Sequence, residues 1–560
     1  MVPRKAAATI VPVLAALLIS GALAGSASAQ PADDACHQVS PSASPCIGAD
    51  KLAEAAAAEC RRLGLPDSDC VLPLGHEVTS AARDAYRTSW VHRAAQFQYG
   101  LGDRLPLHQA QWLGTHNSFN SVNDTATLSH TDSNQQLSLS QQLDLDVRSL
   151  ELDVHWIPSA ETGGSNTVVV CHGRGPDEAN LGCTNERTLA DVLPELAGWL
   201  NAPAGRDQVV LLYLEDELGD PAGYAETVRR LDAGLRGPDG RSLIYRPDPA
   251  RFGAKGCQDM PLDVSRADIR ARGAQVMLVG NCRSGWASDV FGWDDTHVES
   301  GSTPQYTAFP TCDASYPRSV YDAKLVRYYE DSTWVSSAVN PTASPQDATD
   351  DSLTPDRVAA MTRCGVNLFG FDQLLPGDGR IEASIWSWAA DKPDRAEGDC
   401  AVQRADGRWI TRPCDVRRRA ACLSSAGWSL TRVAVPNAAA AAACRTQGAV
   451  LGLPRTGYQN SLLRQAAGAD EVWLGYRLPA LMSLACRPSG RRVTCSIAGA
   501  RSSRARARLV SGRRVLARAT AGLRGGRGRI ALRPARLRPG GYQVIVAAGD
   551  AQVRRPLRVR

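Results

Sequence analysis

The chain has 560 residues, 43% of them hydrophobic, and a formal net charge of +5 from 63 Lys and Arg against 58 Asp and Glu. That apolar share excludes wholesale disorder, and the length calls for three or four domains. The total charge is unremarkable but unevenly spread: residues 501–560 hold 17 arginines, no lysine and one acid, Asp550. Arginine outnumbers lysine and alanine is abundant, which reads as a high-GC bacterial coding bias before it reads as a nucleic-acid surface.

In chain order, Arg4 and Lys5, an apolar stretch over 6–25 and Ala27-Ser28-Ala29 predict a signal peptide over 1–29. The mature chain is expected to start near Gln30, to be secreted, and to carry no transmembrane segment. Residues 30–105 form a Cys-containing helical prefix, with helices over 50–63 and 80–98. From 106 to 390, strands are predicted over 111–115, 147–154, 167–171, 208–214, 275–279 and 366–371, with helices over 189–200 and 224–235. That alternation predicts an α/β fold, a TIM-like barrel rather than an open sheet. No Gly-rich phosphate loop follows any of these strands. Residues 391–480 form a module rich in Cys and Trp. Residues 484–560 alternate over 493–497, 507–510, 529–532 and 542–547, as in a small β-sandwich.

Sixteen cysteines in a chain read as secreted predict disulfides. Near neighbours suggest Cys36–Cys46, Cys60–Cys70, Cys171–Cys183, Cys257–Cys282, Cys312–Cys364 and Cys486–Cys495. A zinc site is disfavoured, because no two cysteines show the short separation of structural zinc ligands.

Three segments carry the chemistry: Gly114-Thr115-His116-Asn117-Ser118, Val147 through Asp153, and Cys171-His172-Gly173. His116 and His172 each close a predicted strand, and imidazole exchanges protons near neutral pH. Glu151 and Asp153 alternate with Leu150, Leu152 and Val154, so both carboxylates share one strand face. Two like charges at that spacing call for a cation or a proton between them. Asn117 and Glu215 close other predicted strands and extend an oxygen-rich set suited to Ca²⁺. Read singly, each histidine is a structural group and each acid a solvated one.

These residues resemble the X-type barrel of phosphatidylinositol-specific phospholipases C and related secreted phosphodiesterases of the actinobacterial type. The likeness rests on Gly114–Ser118, Arg148–Asp153, Val170-Cys171-His172-Gly173 and Tyr213-Leu214-Glu215-Asp216. It assigns phosphoryl-transfer roles to His116 and His172, and Ca²⁺ coordination to Asn117, Glu151, Asp153 and Glu215. The metal-independent branch carries Asp-x-Arg where this chain has Glu151-Leu152-Asp153, so an acid at 153 places it in the calcium branch. The implied activity is cleavage of phosphatidylinositol-type phosphodiesters by in-line attack of the inositol hydroxyl. The rivals are a glycerophosphodiester or sphingolipid phosphodiesterase, and a non-catalytic surface-binding protein that keeps the barrel as scaffold. No basic pair for extra inositol phosphates and no C2 or pleckstrin-type module is found. His155 and Asp216 read as supporting or surface groups, Arg148 as a phosphate contact or an internal ion pair, and Asp372 as a weak site candidate.

Residues 384–478 resemble a C-type lectin-like module with its halves in swapped order, which implies Cys400–Cys414 and Cys422–Cys444. No sugar-binding triplet is present, so a structural or adhesive role is expected. The arginines of the C-terminal region read first as a solvated strand face. Contact with an anionic membrane or cell-wall surface comes second, and nucleic acid is not expected.

Overall fold

The computed structural model describes residues 78–121, 133–183, 187–299, 308–312, 316–330, 353–479, 482–500, 502–512, 514–549 and 551–559. The signal peptide, the helix expected over 50–63, Cys36–Cys46 and Cys60–Cys70 lie outside them. The chain divides into two compact units. One takes the residues up to Lys392 with Arg404–Trp409 and Pro454–Asp470, and the other holds Pro393–Gln403, Ile410–Leu453 and the chain from Glu471.

The first unit opens with two helices, α1 (Ser80–Thr88) and α2 (Trp90–Leu101), where a single helix is expected over 80–98. Ser89 makes the break. Its extended backbone donates to the Tyr86 carbonyl and ends α1, while its side chain accepts from the His92 N–H and caps α2.

Eight parallel strands follow: β1 (Trp112–Thr115), β2 (Ser149–Pro158), β4 (Val210–Glu217), β5 (Val276–Gly280), β6 (Val290–Gly292), β7 (His297–Glu299), β8 (Leu325–Tyr329) and β9 (Leu368–Phe371). Their order is β6-β5-β4-β2-β1-β9-β8-β7, with β3 (Asn166–Val170) hung antiparallel on β2. First and last strands are thus neighbours, as in a barrel, and β1 pairs β9 from Trp112↔Leu368 to Thr115↔Phe371. The expected closed barrel needs one correction: among the described residues β6 and β7 do not pair. Only Trp293–Thr296 join these two three-residue strands, and parallel neighbours need a crossover of about a dozen residues. The seam therefore stays open.

Helices α3 (Leu139–Asp144), α4 (Leu189–Asn201), α5 (Pro221–Gly234), α6 (Arg266–Ala271), α7 (Arg318–Tyr321), α8 (Pro355–Cys364) and α9 (Gly379–Ala383) belong to the same unit, as does a helix over Gly457–Ala467. Leu150, Leu152 and Val154 of β2 join Val192, Leu196 and Leu231 of α4 and α5 in an outer core. Leu211, Tyr213, Met277, Val279 and Trp293 fill a separate inner core. Period-two alternation therefore turns Glu151 and Asp153 to the interior, and Glu215 follows Leu211 and Tyr213 along the same face of β4. β6, β7 and β8 escape the sequence pattern because three to five residues hold too little alternation to read.

In the second unit, β10 (Cys400–Gln403), β11 (Trp409–Arg412), β12 (Ala421–Ser424), β13 (Gly427–Leu430), β14 (Val450–Leu451) and β15 (Val472–Arg477) form two three-stranded sheets, with α10 (Asn437–Arg445) between β13 and β14. Cys400–Cys414 and Cys422–Cys444 pair. Beyond them, β16 (Ser483–Ser489), β17 (Arg492–Ala498) and β20 (Gly528–Leu532) form one sheet. β19 (Arg514–Gly522), β18 (Arg504–Ser511), β21 (Gly540–Ala548) and β22 (Ala551–Val559) form another, in that order. The two share a core that includes Val493, Leu509, Ile530, Val544 and Val546. Cys486 and Cys495 sit directly opposite on β16 and β17 and are bonded. The remaining expected bridges, Cys171–Cys183, Cys257–Cys282 and Cys312–Cys364, also form. No helix among the described residues is long and apolar enough to cross a membrane.

Candidate active site

The carboxyl ends of β1, β4 and β9 and the first half of β2 bring the site together. At β1, Gly114 permits close strand approach: a Cβ there would lie 2.7 Å from the Phe369 carbonyl oxygen. One residue past the strand, the His116 N–H donates to the Phe371 carbonyl. The side chain of Gln135 spans the two chains, donating to the carbonyls of His116 (2.7 Å) and Phe371 (2.8 Å). His116 thereby stands beside Asp372, whose carboxylate receives the imidazole Nδ1 at 3.2 Å. Asp372 is fully buried. Its N–H donates to Glu330 (2.8 Å) and its carbonyl accepts from Arg380 (2.7 Å). Arg380, itself buried, is ion-paired with Glu330 and Asp378. Nδ1 is held by this arrangement, and Nε2 lies 4.0 Å from a Glu151 oxygen.

Glu151, Asp153 and Glu215 each offer an oxygen within 4.8 Å of the others. Asp153 and Glu215 are direct partners in the parallel register. Asn117 adopts a left-handed backbone (φ 41°), which sends its N–H to Glu151 (3.0 Å). Its side-chain amide lies 3.0 and 3.2 Å from the two Asp153 oxygens. Turned nitrogen-first the amide donates to Asp153, and turned oxygen-first it adds a fourth oxygen to the cluster. Burial pushes the Glu151 carboxyl up to about 7, with the nearby His116 opposing the shift and Glu215 adding to it. Asp153 is raised well above the carboxylate range by burial and then by Glu215 and Glu151. Three carboxylates and an amide in this space fit a hard cation such as Ca²⁺, whose oxygen ligands stand about 2.3–2.6 Å from the ion. The histidine is engaged with Asp372 instead.

His172 lies elsewhere. The β2–β3 hairpin carries the chain back until the Cys171 N–H donates to the Asp153 carbonyl at 3.3 Å, and His172 follows, exposed and outside the carboxylate cluster. The Cys171–Cys183 bridge pins that turn. His155, next on the inner face of β2, is buried with Nδ1 at Asn180 (2.9 Å). It neighbours Cys171 and Cys183, but their disulfide leaves no thiolate for a metal. Asp216 turns to the opposite face of β4 and accepts from Tyr224 and Arg283. Arg148 sits at the amino end of β2, donating to the carbonyls of Leu143 and Val147 and stacked on Trp199. Its place is internal, away from any phosphate bound at the carboxylates.

Two site residues carry more weight in the structure than in the sequence. Asp372 is one: its role depends on β9 lying beside β1, a pairing between residues 256 apart. Arg327 of β8 is the other. Buried over the rings of Tyr329, Trp293 and Tyr213, at 4.6, 4.7 and 5.3 Å, it opposes the rise of the Glu151 carboxyl. Its only sequence signal is the alternation in Leu325-Val326-Arg327-Tyr328-Tyr329.

Residues 71–378 match the protein family described as the Rv2075c PI-PLC-like domain, a span that holds every barrel strand and Asp372. The chain belongs to that family. It is 57% identical over 446 residues to uncharacterized proteins Rv2075c and MT2135 of two Mycobacterium tuberculosis strains, H37Rv and CDC 1551 / Oshkosh, covering 79% of this chain and 91% of each relative. Among solved structures, the F249X mutant of phosphatidylinositol-specific phospholipase C from Staphylococcus aureus aligns with 53% of this chain and 99% of its own, at 11% identity and a TM-score of 0.33. A pentafluoro-Phe-containing H258X form of that enzyme gives 12% identity and 0.32 over 53% of this chain and 99% of its own. The architecture is accordingly read from the strand order of this chain itself.

Proposed function

We propose that this PI-PLC-like domain is a secreted, Ca²⁺-dependent phosphodiesterase that cleaves phosphatidylinositol-type phosphodiesters. The observation that carries the reading is the meeting of three carboxylates within 4.8 Å beside a histidine held by a buried aspartate. Asn117, Glu151, Asp153 and Glu215 would hold the ion. Bound there, Ca²⁺ supplies positive charge to a phosphate oxygen and acidifies the neighbouring inositol hydroxyl.

The chain's own groups do the remainder. His116 Nε2 takes the proton of the attacking hydroxyl, while Asp372 keeps Nδ1 protonated and stabilises the imidazolium. The hydroxyl oxygen bonds to phosphorus as the bond from phosphorus to the diacylglycerol oxygen breaks. His172, exposed just beyond the Cys171 turn, is assigned the gift of a proton to that departing oxygen. Arg327, whose charge opposes the rise of the Glu151 carboxyl, balances part of the carboxylates' charge. Water then opens the cyclic phosphate by the reverse proton route.

The test is hydrolysis of mixed phospholipid vesicles by the mature protein, with Ca²⁺ and with chelator, followed by phosphorus NMR. The expected result is Ca²⁺-dependent release of an inositol phosphate that His116→Ala abolishes. Release of glycerol phosphate or phosphocholine instead would move the substrate to the glycerophosphodiester or sphingolipid class. No release from any of these would refute the reading and leave the binding scaffold.

A further inference from the structure

The outer face of the four-stranded sheet in the C-terminal sandwich carries six arginines on three of its strands, with β21 between β18 and β22 contributing none. Register assigns the residues. Arg508 stands directly opposite Arg518 on one side and Ile545 on the other, and Ile545 stands opposite Arg554. Arg504 and Arg506 precede Arg508 at two-residue steps on the same face, and Arg558 lies four residues beyond Arg554. All six arginines are exposed. The intervening residues Ala505, Ala507, Leu509, Val544 and Val546 belong to the core, so the sheet is cleanly two-sided.

No acid balances this face. Asp550 is the one acidic residue after Glu471, and among the described residues none of the six arginines has an ion-pair partner. Like charges directly opposite on a sheet are destabilising, so the Arg508–Arg518 pair weakens the isolated sandwich. The face is broad rather than grooved: strands of eight or nine residues span roughly 25–30 Å at about 3.3 Å per residue. It presents no aromatic ring, since Tyr542 packs on the core side, and so has no platform for stacking bases. Ile545 is buried although it lies outside the core cluster, as expected if the stems of its neighbours Arg508 and Arg554 cover it. What remains is a set of exposed guanidinium groups on one sheet face, and such groups pair with phosphate oxygens two at a time.

We propose that this face binds the phosphate-bearing surface of anionic phospholipid membranes through Arg504, Arg506, Arg508, Arg518, Arg554 and Arg558. The proposal stands independently of the phosphodiesterase reading.

The experiment is co-sedimentation of the full mature chain with vesicles of pure phosphatidylcholine or with about 30 mol% phosphatidylglycerol, a lipid outside the proposed substrate class. Binding to the anionic vesicles only, lost on raising salt from about 0.1 M to about 1 M, is expected. Each arginine is worth about fivefold, so Gln at 506, 508, 518 and 554 together lowers binding more than about 100-fold. Lys at the same four positions keeps most of it, and thermal unfolding of both variants verifies the fold. His116→Ala binds like the wild type whether or not the lipid is a substrate. Equal binding by the Gln variant, or retention on heparin or DNA without binding to anionic vesicles, would overturn the proposal.

Discussion

Two regions of this molecule hold like charges side by side, and they do so under opposite conditions. At the end of the barrel, Glu151 and Asp153 are buried and pressed against Glu215. On the sandwich, Arg508 and Arg518 stand opposite each other in solvent. Water screens the second pair, so its repulsion is small and its field reaches outward to a partner at long range. The buried set has no such screening, so its Glu151 and Asp153 carboxyls are raised, and the cluster calls for a proton or a cation. Burial thus separates a compact cluster of carboxylates, suited to one small cation, from a surface that spreads its charge over many exposed groups.

That contrast can be tested from its strongest consequence to its weakest. His116→Ala removes the proton acceptor beside the carboxylates and lowers kcat/KM on phosphatidylinositol vesicles by about 10³-fold, or about 4 kcal/mol of barrier. A loss under tenfold would take His116 out of the reaction. Asp372→Asn leaves an amide where the charge held Nδ1, and costs about 10²-fold with a shifted pH–rate profile. An unchanged profile would reduce Asp372 to a structural support. Calcium at about 100 times its Kd stabilises the wild-type fold by about 2.7 kcal/mol in thermal unfolding, and Asp153→Asn abolishes that gain. Equal stabilisation of both proteins would place the ion elsewhere. Arg508→Gln relieves the exposed pair and raises stability in urea by only about 0.2–1 kcal/mol. A loss of stability would mean that the arginine stems, rather than their charges, dominate that face.

Much of the candidate site is legible because it lies at strand ends with a clean period. Leu150 to Val154 shows the acids on one face and the leucines on the other, and the structure sorts them between interior and outer core accordingly. His116, Asn117 and Glu215 are readable as polar residues closing apolar runs. Asp372 reads weakly, since nothing local marks a strand-end aspartate as the partner of a histidine 256 residues away. Arg327 is hidden in a five-residue strand. His172 reads as the equal of His116, yet the hairpin leaves it exposed while its counterpart is held against a buried carboxylate.

Local chemistry was enough to determine the α/β alternation, the face carried by each acid, the four disulfides between near-neighbour cysteines (Cys171–Cys183, Cys257–Cys282, Cys312–Cys364 and Cys486–Cys495), and the β-rich end of the chain. Period and proximity along the chain encode all of these. Tertiary structure alone decided that β9 lies beside β1 and delivers Asp372, that a four-residue link leaves the seam at β6 and β7 open, and that six arginines from three strands share one face. Those outcomes depend on strand order and register, which are set by packing between segments far apart in sequence and leave no local trace.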